Sequence, residues 1–182
     1  MELPEGLEEI GPYAFNRTGL KRIAIPSSVR EISDRAFDDC KDLTEVELQE
    51  GLEEIGSHAF SRTGLKRIAI PSSVRVIDGW AFDDCKDLTE VELQEGLEEI
   101  GIDAFSNTAL KRIEIPSSVR EIGDCAFGYC KDLTEVALPE GLEEIGCDAF
   151  SSTGLKKIEI PTTVKWIGEG AFDRGVKVVL RR

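Results

Sequence analysis

Leu20-Lys21-Arg22-Ile23-Ala24-Ile25-Pro26 opens a unit that continues through Ser27-Ser28-Val29-Arg30-Glu31-Ile32 and closes on Ala36-Phe37. Leu20, Ile23 and Ile25 fit L-x-x-I-x-I, whose last part alternates as a half-buried strand does. Pro26 ends the strand because it has no amide proton to give a ladder. Ser27-Ser28 makes a turn, and Val29 and Ile32 begin a second apolar stretch. The same frame returns at Leu43/Val46/Leu48, Leu65/Ile68/Ile70, Leu88/Val91/Leu93, Leu110/Ile113/Ile115, Leu133/Val136/Leu138 and Leu155/Ile158/Ile160. Ala-Phe closes every unit, with phenylalanine at 15, 37, 60, 82, 105, 127, 150 and 172. The intervals alternate between 22 and 23 residues, so the true period is a 45-residue double unit. A fixed period of this length is the mark of a solenoid, in which each coil buries its apolar side chains only against its neighbours.

The chain of 182 residues therefore reads as one array, 1–182, of about eight coils. At the spacing of parallel strands, ~4.8 Å, these stack to roughly 40 Å. No window carries a helical stripe, so the path back to the next strand is expected to be short strand, turn or 3₁₀ structure. Glycines at 11, 56, 101, 123, 146 and 168 mark a tight turn on that path.

These motifs resemble the BspA-like class of leucine-rich repeat. The resemblance rests on the L-x-x-I-x-L/I-P strand, the following apolar pair, and I-G-x-x-A-F with Cys or Thr three residues on. It covers essentially the whole chain. It implies a right-handed solenoid with a parallel β-sheet on one face, few or no long helices and no catalytic residues. It also implies an extracellular or cell-surface setting and a partner that is a protein or host matrix. The first coil lacks most of its strand, which reads as a piece cut from a longer array; uncapped ends of this kind invite end-to-end self-association.

Composition narrows the partners. The net charge is −14, from 36 acidic and 22 basic residues, which argues against nucleic acid and anionic membranes. Apolar runs are too short to insert in a membrane. Met1 is followed by Glu2-Leu3-Pro4-Glu5, which is no signal peptide. No metal-ligand spacing, phosphate loop or nucleophile–base set is present around the single histidine, so no cofactor and no enzymatic activity are expected.

Two columns of charge alternate in sign along the stack: Arg22, Glu45, Arg67, Glu90, Arg112, Glu135, Lys157, and Glu8, Arg30, Glu53, Arg75, Glu98, Arg120, Glu143, Lys165. Opposite charges on adjacent rungs resist slippage by one coil. Cys40, Cys85 and Cys130 alternate with threonine at a half-buried packing position. Cys125 and Cys147 lie on adjacent coils, and the spacing leaves a disulfide and a free thiol pair both open. Asp38-Asp39 and Asp83-Asp84 read as short side chains that cap turns.

One column breaks the monotony. Two residues before each phenylalanine stand Tyr13, Arg35, His58, Trp80, Asp103, Cys125, Asp148 and Gly170. Beside it Ile102 is an apolar exception, Tyr129 varies just past a phenylalanine, and Trp166 interrupts a column of glutamates. Tyrosine, tryptophan and arginine are enriched at binding hot spots. The expected partner-binding residues are therefore Tyr13, Arg35, His58, Trp80, Ile102, Asp103, Tyr129, Asp148 and Trp166, on a non-enzymatic module that recognises a protein or glycan. Two other readings fit the same sequence: a structural spacer or adhesin stalk, and an engineered repeat scaffold without a natural ligand.

Overall fold

The computed structural model describes residues 3–181, and the chain winds there as a parallel β-solenoid without helices. Two sets of strands alternate along it. One set consists of residue pairs: β1 (Glu9–Ile10), β3 (Glu31–Ile32), β5 (Glu54–Ile55), β7 (Val76–Ile77), β9 (Glu99–Ile100), β11 (Glu121–Ile122), β13 (Glu144–Ile145) and β15 (Trp166–Ile167). These hydrogen-bond in chain order into one continuous eight-stranded sheet. The other set carries the L-x-x-I-x-I motif in β2 (Arg22–Ala24), β4 (Glu45–Glu47), β6 (Arg67–Ala69), β8 (Glu90–Glu92), β10 (Arg112–Glu114), β12 (Glu135–Ala137) and β14 (Lys157–Ile160), and ends with β16 (Lys177–Leu180), which has Gly175 in place of the motif's leucine.

The strands that the sequence marks most plainly do not form the continuous sheet. They pair in twos, β2 with β4, β6 with β8, β10 with β12 and β14 with β16. The first three pairs span the 23-residue interval, with Arg22 opposite Glu45, Arg67 opposite Glu90 and Arg112 opposite Glu135. The 22-residue intervals between them carry no ladder. The additional residue of the longer interval sits in the turn entering the strand, Cys40-Lys41-Asp42 against Thr18-Gly19, so one inserted residue decides which neighbours bond.

Between the two sets runs one apolar core. Phe37, Phe60, Phe82, Phe105, Phe127 and Phe150 are fully buried, and consecutive phenylalanine rings stack with centroids 5.1–5.6 Å apart. Each such pair contributes about 0.5–1.5 kcal/mol beyond simple burial. Ile32, Ile55, Ile77, Ile100, Ile122 and Ile145 form the next row inward from the sheet. The glycine column works by close approach: a Cβ on Gly101 would lie 2.7 Å from the backbone of Asp78 and Gly79 one coil below.

Polar staples fix the register. Glu50 accepts the amides of Ser72 and Ser73, and Glu95 those of Ser117 and Ser118. These backbone donors hold both carboxyls below their ordinary range. The second charge column closes into ion pairs Arg30–Glu53, Arg75–Glu98 and Lys165–Glu143. Cys40, Cys85 and Cys130 are fully buried, deeper than the half-buried position the sequence suggests. Each sits against a threonine hydroxyl and donates to a phenylalanine carbonyl one coil below. Burial pushes the Cys85 thiol up to about 11, so it is unreactive at neutral pH.

Candidate functional site: an edge of left-handed turns

The segment around each Ala-Phe is a run of overlapping four-residue turns. In the first coil the amides of Ala14, Asn16 and Thr18 close back onto the carbonyls of Gly11, Tyr13 and Phe15. The amides between them, of Tyr13, Phe15 and Arg17, point the other way and donate to Asp34, Ala36 and Asp38 of the next coil at 2.8–3.0 Å. The same alternation repeats up the stack; His58, Phe60 and Arg62 bond to Gly79, Ala81 and Asp83.

The phenylalanine amide leaves its turn without a positive φ, but in the turns before and after it the central peptide plane is flipped, which puts the third residue of each at positive φ. That is a type II turn, a conformation that calls for Gly or Asn. Fourteen non-glycine residues are held in this region, with φ between 52° and 60°. They form two columns. One holds Tyr13, Arg35, His58, Trp80, Asp103, Cys125 and Asp148, with Gly170 continuing it at φ 70°. The second holds Arg17, Asp39, Arg62, Asp84, Asn107, Tyr129 and Ser152. The variable column of the sequence is thus the left-handed column of the fold. A left-handed conformation costs an ordinary residue about 1–2 kcal/mol. Only five of the fourteen are Asp or Asn, the types that bear it most easily.

Six of the nine expected site residues, Tyr13, Arg35, His58, Trp80, Asp103 and Asp148, stand in the first column, and Tyr129 stands in the second. Ile102 adjoins Trp80, whose amide donates to the Ile102 carbonyl at 2.7 Å. Trp166 stands apart on the eight-stranded sheet, in register with Glu144. Tyr13, Trp80, Ile102, Tyr129 and Trp166 are exposed, from 37% for Trp80 to 57% for Tyr13. The imidazole of His58 stacks on the Trp80 indole, centroids 5.2 Å apart and planes within 6°. Its Nδ1 is buried without a hydrogen-bond partner. Burial and then the nearby Arg35 push its basicity down, so it stacks as a neutral ring.

Asp38 and Asp39 do more than cap turns. Asp38 is almost fully buried and accepts two bonds from the Arg62 guanidinium, at 2.7 and 2.9 Å. Arg35 approaches it to 3.6 Å and Asn16 Nδ2 to 3.4 Å. Sequence reading missed this clamp, although an arginine on the coil beyond a buried aspartate was a signal for it. Asp39 pairs with Arg17 and Lys41. Cys125 and Cys147 are both free, joined only through the Cys125 amide and the Cys147 carbonyl at 2.8 Å. Among the described residues no three His, Cys, Asp or Glu side chains converge to hold a metal ion.

Comparison with known proteins fits this geometry. A family model described as the BspA type leucine rich repeat region matches six copies, over residues 1–86 and 54–178. The chain belongs to that family. Among solved structures it is similar to a leucine-rich repeat protein of Bacteroides ovatus, at 27% identity and a TM-score of 0.73, covering 96% of this chain and 55% of that one. It therefore spans about half the length of that relative. A leucine-rich repeat protein of T. pallidum is 31% identical at a TM-score of 0.72, covering 92% of this chain and 71% of that one. A leucine rich cell surface protein of Faecalibacterium prausnitzii shares the fold, at 23% identity and a TM-score of 0.58, over 96% of this chain and 65% of that one. A search of curated proteins gives no match.

Two outcomes follow for this repeat array. Ser152 is exposed and left-handed without compensating contacts from its side chain, so Ser152→Gly should raise stability by up to about 1 kcal/mol in urea unfolding. Asp83 is half-buried, and desolvation followed by the charges of Asp84 and Asp103 pushes its carboxyl up to about 6. A carboxyl raised in the folded state weakens the fold above that pKa, and the penalty disappears as pH falls below the unfolded value. Asp83→Asn should therefore stabilise at pH 7 by on the order of 1 kcal/mol after solvent screening, and by nothing near pH 3. Melting curves across that range check it.

Proposed function

We propose that the chain is a non-enzymatic recognition module that binds a protein partner through its left-handed edge, with His58, Trp80 and Ile102 at the centre. The observation that supports this is the chemistry of the residues kept at positive φ. A turn selected for stability alone gathers glycine and asparagine, which adopt this conformation at little cost. Here the positions carry Tyr, Arg, His and Trp. Bulky side chains in a costly conformation persist where they serve something other than the fold, and such strain gathers at binding sites.

The rest of the edge suits the purpose. The hydrogen-bonded turns hold each side chain on a rigid backbone, so little freedom is lost on docking. His58 and Trp80 stack on successive coils, Tyr13 and Tyr129 stand further along the same edge, and Arg17, Arg35 and Arg62 lie among them. Display on a cell surface accords with the F. prausnitzii relative, a leucine rich cell surface protein. A spacer in which length alone matters has no use for this composition.

Selection from a displayed library of surface-protein fragments, followed by titration of the recovered binder, tests the reading. Trp80→Ala and Tyr13→Ala should each weaken binding tenfold or more, as anchors of an interface do. Their melting temperatures should move by no more than about 3 °C, since neither side chain is in the core. Unchanged binding in both variants contradicts the proposal and favours the spacer; a collapse of the melting temperature makes these residues part of the core instead.

A further inference from the structure

The 45-residue repeat allows one side-chain environment to be compared with its own copy. Asp38 is held by Asn16, Arg35 and Arg62. One period on, these positions become Asp83, Ser61, Trp80 and Asn107. The carboxylate is repeated and all three of its partners are replaced. Among the described residues no side chain bonds to Asp83. Asn107 turns instead to Asp84, at 2.5 Å. Lys86, the nearest cation in sequence, pairs with Asp84 at 3.3 Å, and Arg62 donates its amide to the Asp83 carbonyl while its guanidinium reaches Asp38.

Two further observations fall at the same place. Ser61, on the rung beneath Asp83, is fully buried, and its hydroxyl has no hydrogen-bond partner. Asp38 is 2% exposed, whereas Asp83 is only half-buried, so replacing the arginines opens the second carboxylate to the outside. Its neighbours Asp84 and Asp103 add negative charge, and the exposed Trp80 supplies a π-face that attracts cations.

We infer that Asp83, with Trp80, Ser61 and Asn107, receives the guanidinium of an arginine side chain from a partner. The inference rests on the reading of this edge as a recognition surface and names the chemistry that one part of it takes. The copy at Asp38 shows that this backbone accommodates a guanidinium on the carboxylate in close hydrogen-bonding contact. Guanidinium is planar, carries five donors and stays charged at every working pH, so it matches a carboxylate beside an acceptor hydroxyl and an indole. An ammonium offers a single charged point. A neutral amide offers no charge to offset Asp83.

The test uses the full chain and N-acetyl-arginine amide, followed by NMR at the Trp80 indole N–H and the Asp83 carboxyl carbon. Both signals should shift saturably with a dissociation constant in the millimolar range. N-acetyl-lysine amide should bind at least about threefold more weakly, and the uncharged isostere N-acetyl-citrulline amide should leave both signals in place. Asp83→Asn should abolish the response. Asn107→Arg should rebuild the Asp38 arrangement within the chain, blocking the ligand, raising the melting temperature at pH 7 and bringing the Asp83 titration below its present position. An equal response to citrulline, a response that survives Asp83→Asn or Asn107→Arg, or no saturable shift at 100 mM (about a hundredfold above a millimolar constant) overturns the assignment. If arginine fails while Trp80→Ala still costs partner binding, the edge remains a recognition surface and only its guanidinium chemistry falls.

Discussion

The flipped peptide planes of the Ala-Phe turns join each coil to the next on one side of the solenoid. Each sends an amide across the gap and leaves a residue at positive φ as the consequence. A coil of 22 or 23 residues has too little apolar surface to fold alone, so everything depends on contacts between coils. The continuous two-residue strands provide one seam of such contacts and the stacked phenylalanines a second. The turn ladder provides the third, at 2.7–3.0 Å from rung to rung. It is also the seam that dictates where side chains must stand in a disfavoured conformation.

That constraint links stability to function in one column. The backbone needs the flipped plane whatever residue occupies it, because the hydrogen bond belongs to the main chain. The side chain there takes no part in that bond, and those of Tyr13 and Trp80 face outward. Such a column can change from coil to coil without disturbing the core, which suits a surface that must match a partner. The cost of about 1–2 kcal/mol for an ordinary residue at each position sets the price of that freedom. It also explains why the core rows are almost identical in every coil while the edge is not: Phe37, Phe60 and Phe82 meet identical neighbours, whereas Arg35, His58 and Trp80 share only a backbone shape.

Much of this was legible in the sequence, and the parts that were not have physical reasons. The period, the phenylalanine row and the inward isoleucines follow from spacing, because burial repeats with the coil. The variable column was visible as variation. Its left-handed geometry was hidden, since the usual sign of a type II turn is glycine or asparagine at its third position and here Tyr13, His58 and Trp80 stand there. The L-x-x-I-x-I strands were the plainer ones in the sequence because three alternating apolar residues signal a strand more strongly than Glu-Ile does. Two residues are too few to carry a pattern, yet eight such pairs in register outlast strands that a one-residue difference in turn length separates. The arginine clamp on Asp38 went unread because it joins residues 24 apart through a carboxylate that short-range rules assign to its own turn.

Residue-resolved amide hydrogen exchange tests the turn ladder most directly. If the flipped planes bond coil to coil, the amides of His58, Trp80 and Arg62 exchange as slowly as those of Gly56 and Asp78 beside the continuous sheet, about a thousandfold or more below free-peptide rates, which corresponds to an opening free energy above roughly 4 kcal/mol. Exchange of these three amides near the free-peptide rate, with the sheet amides still protected, would show an ordinary mobile loop and contradict the account.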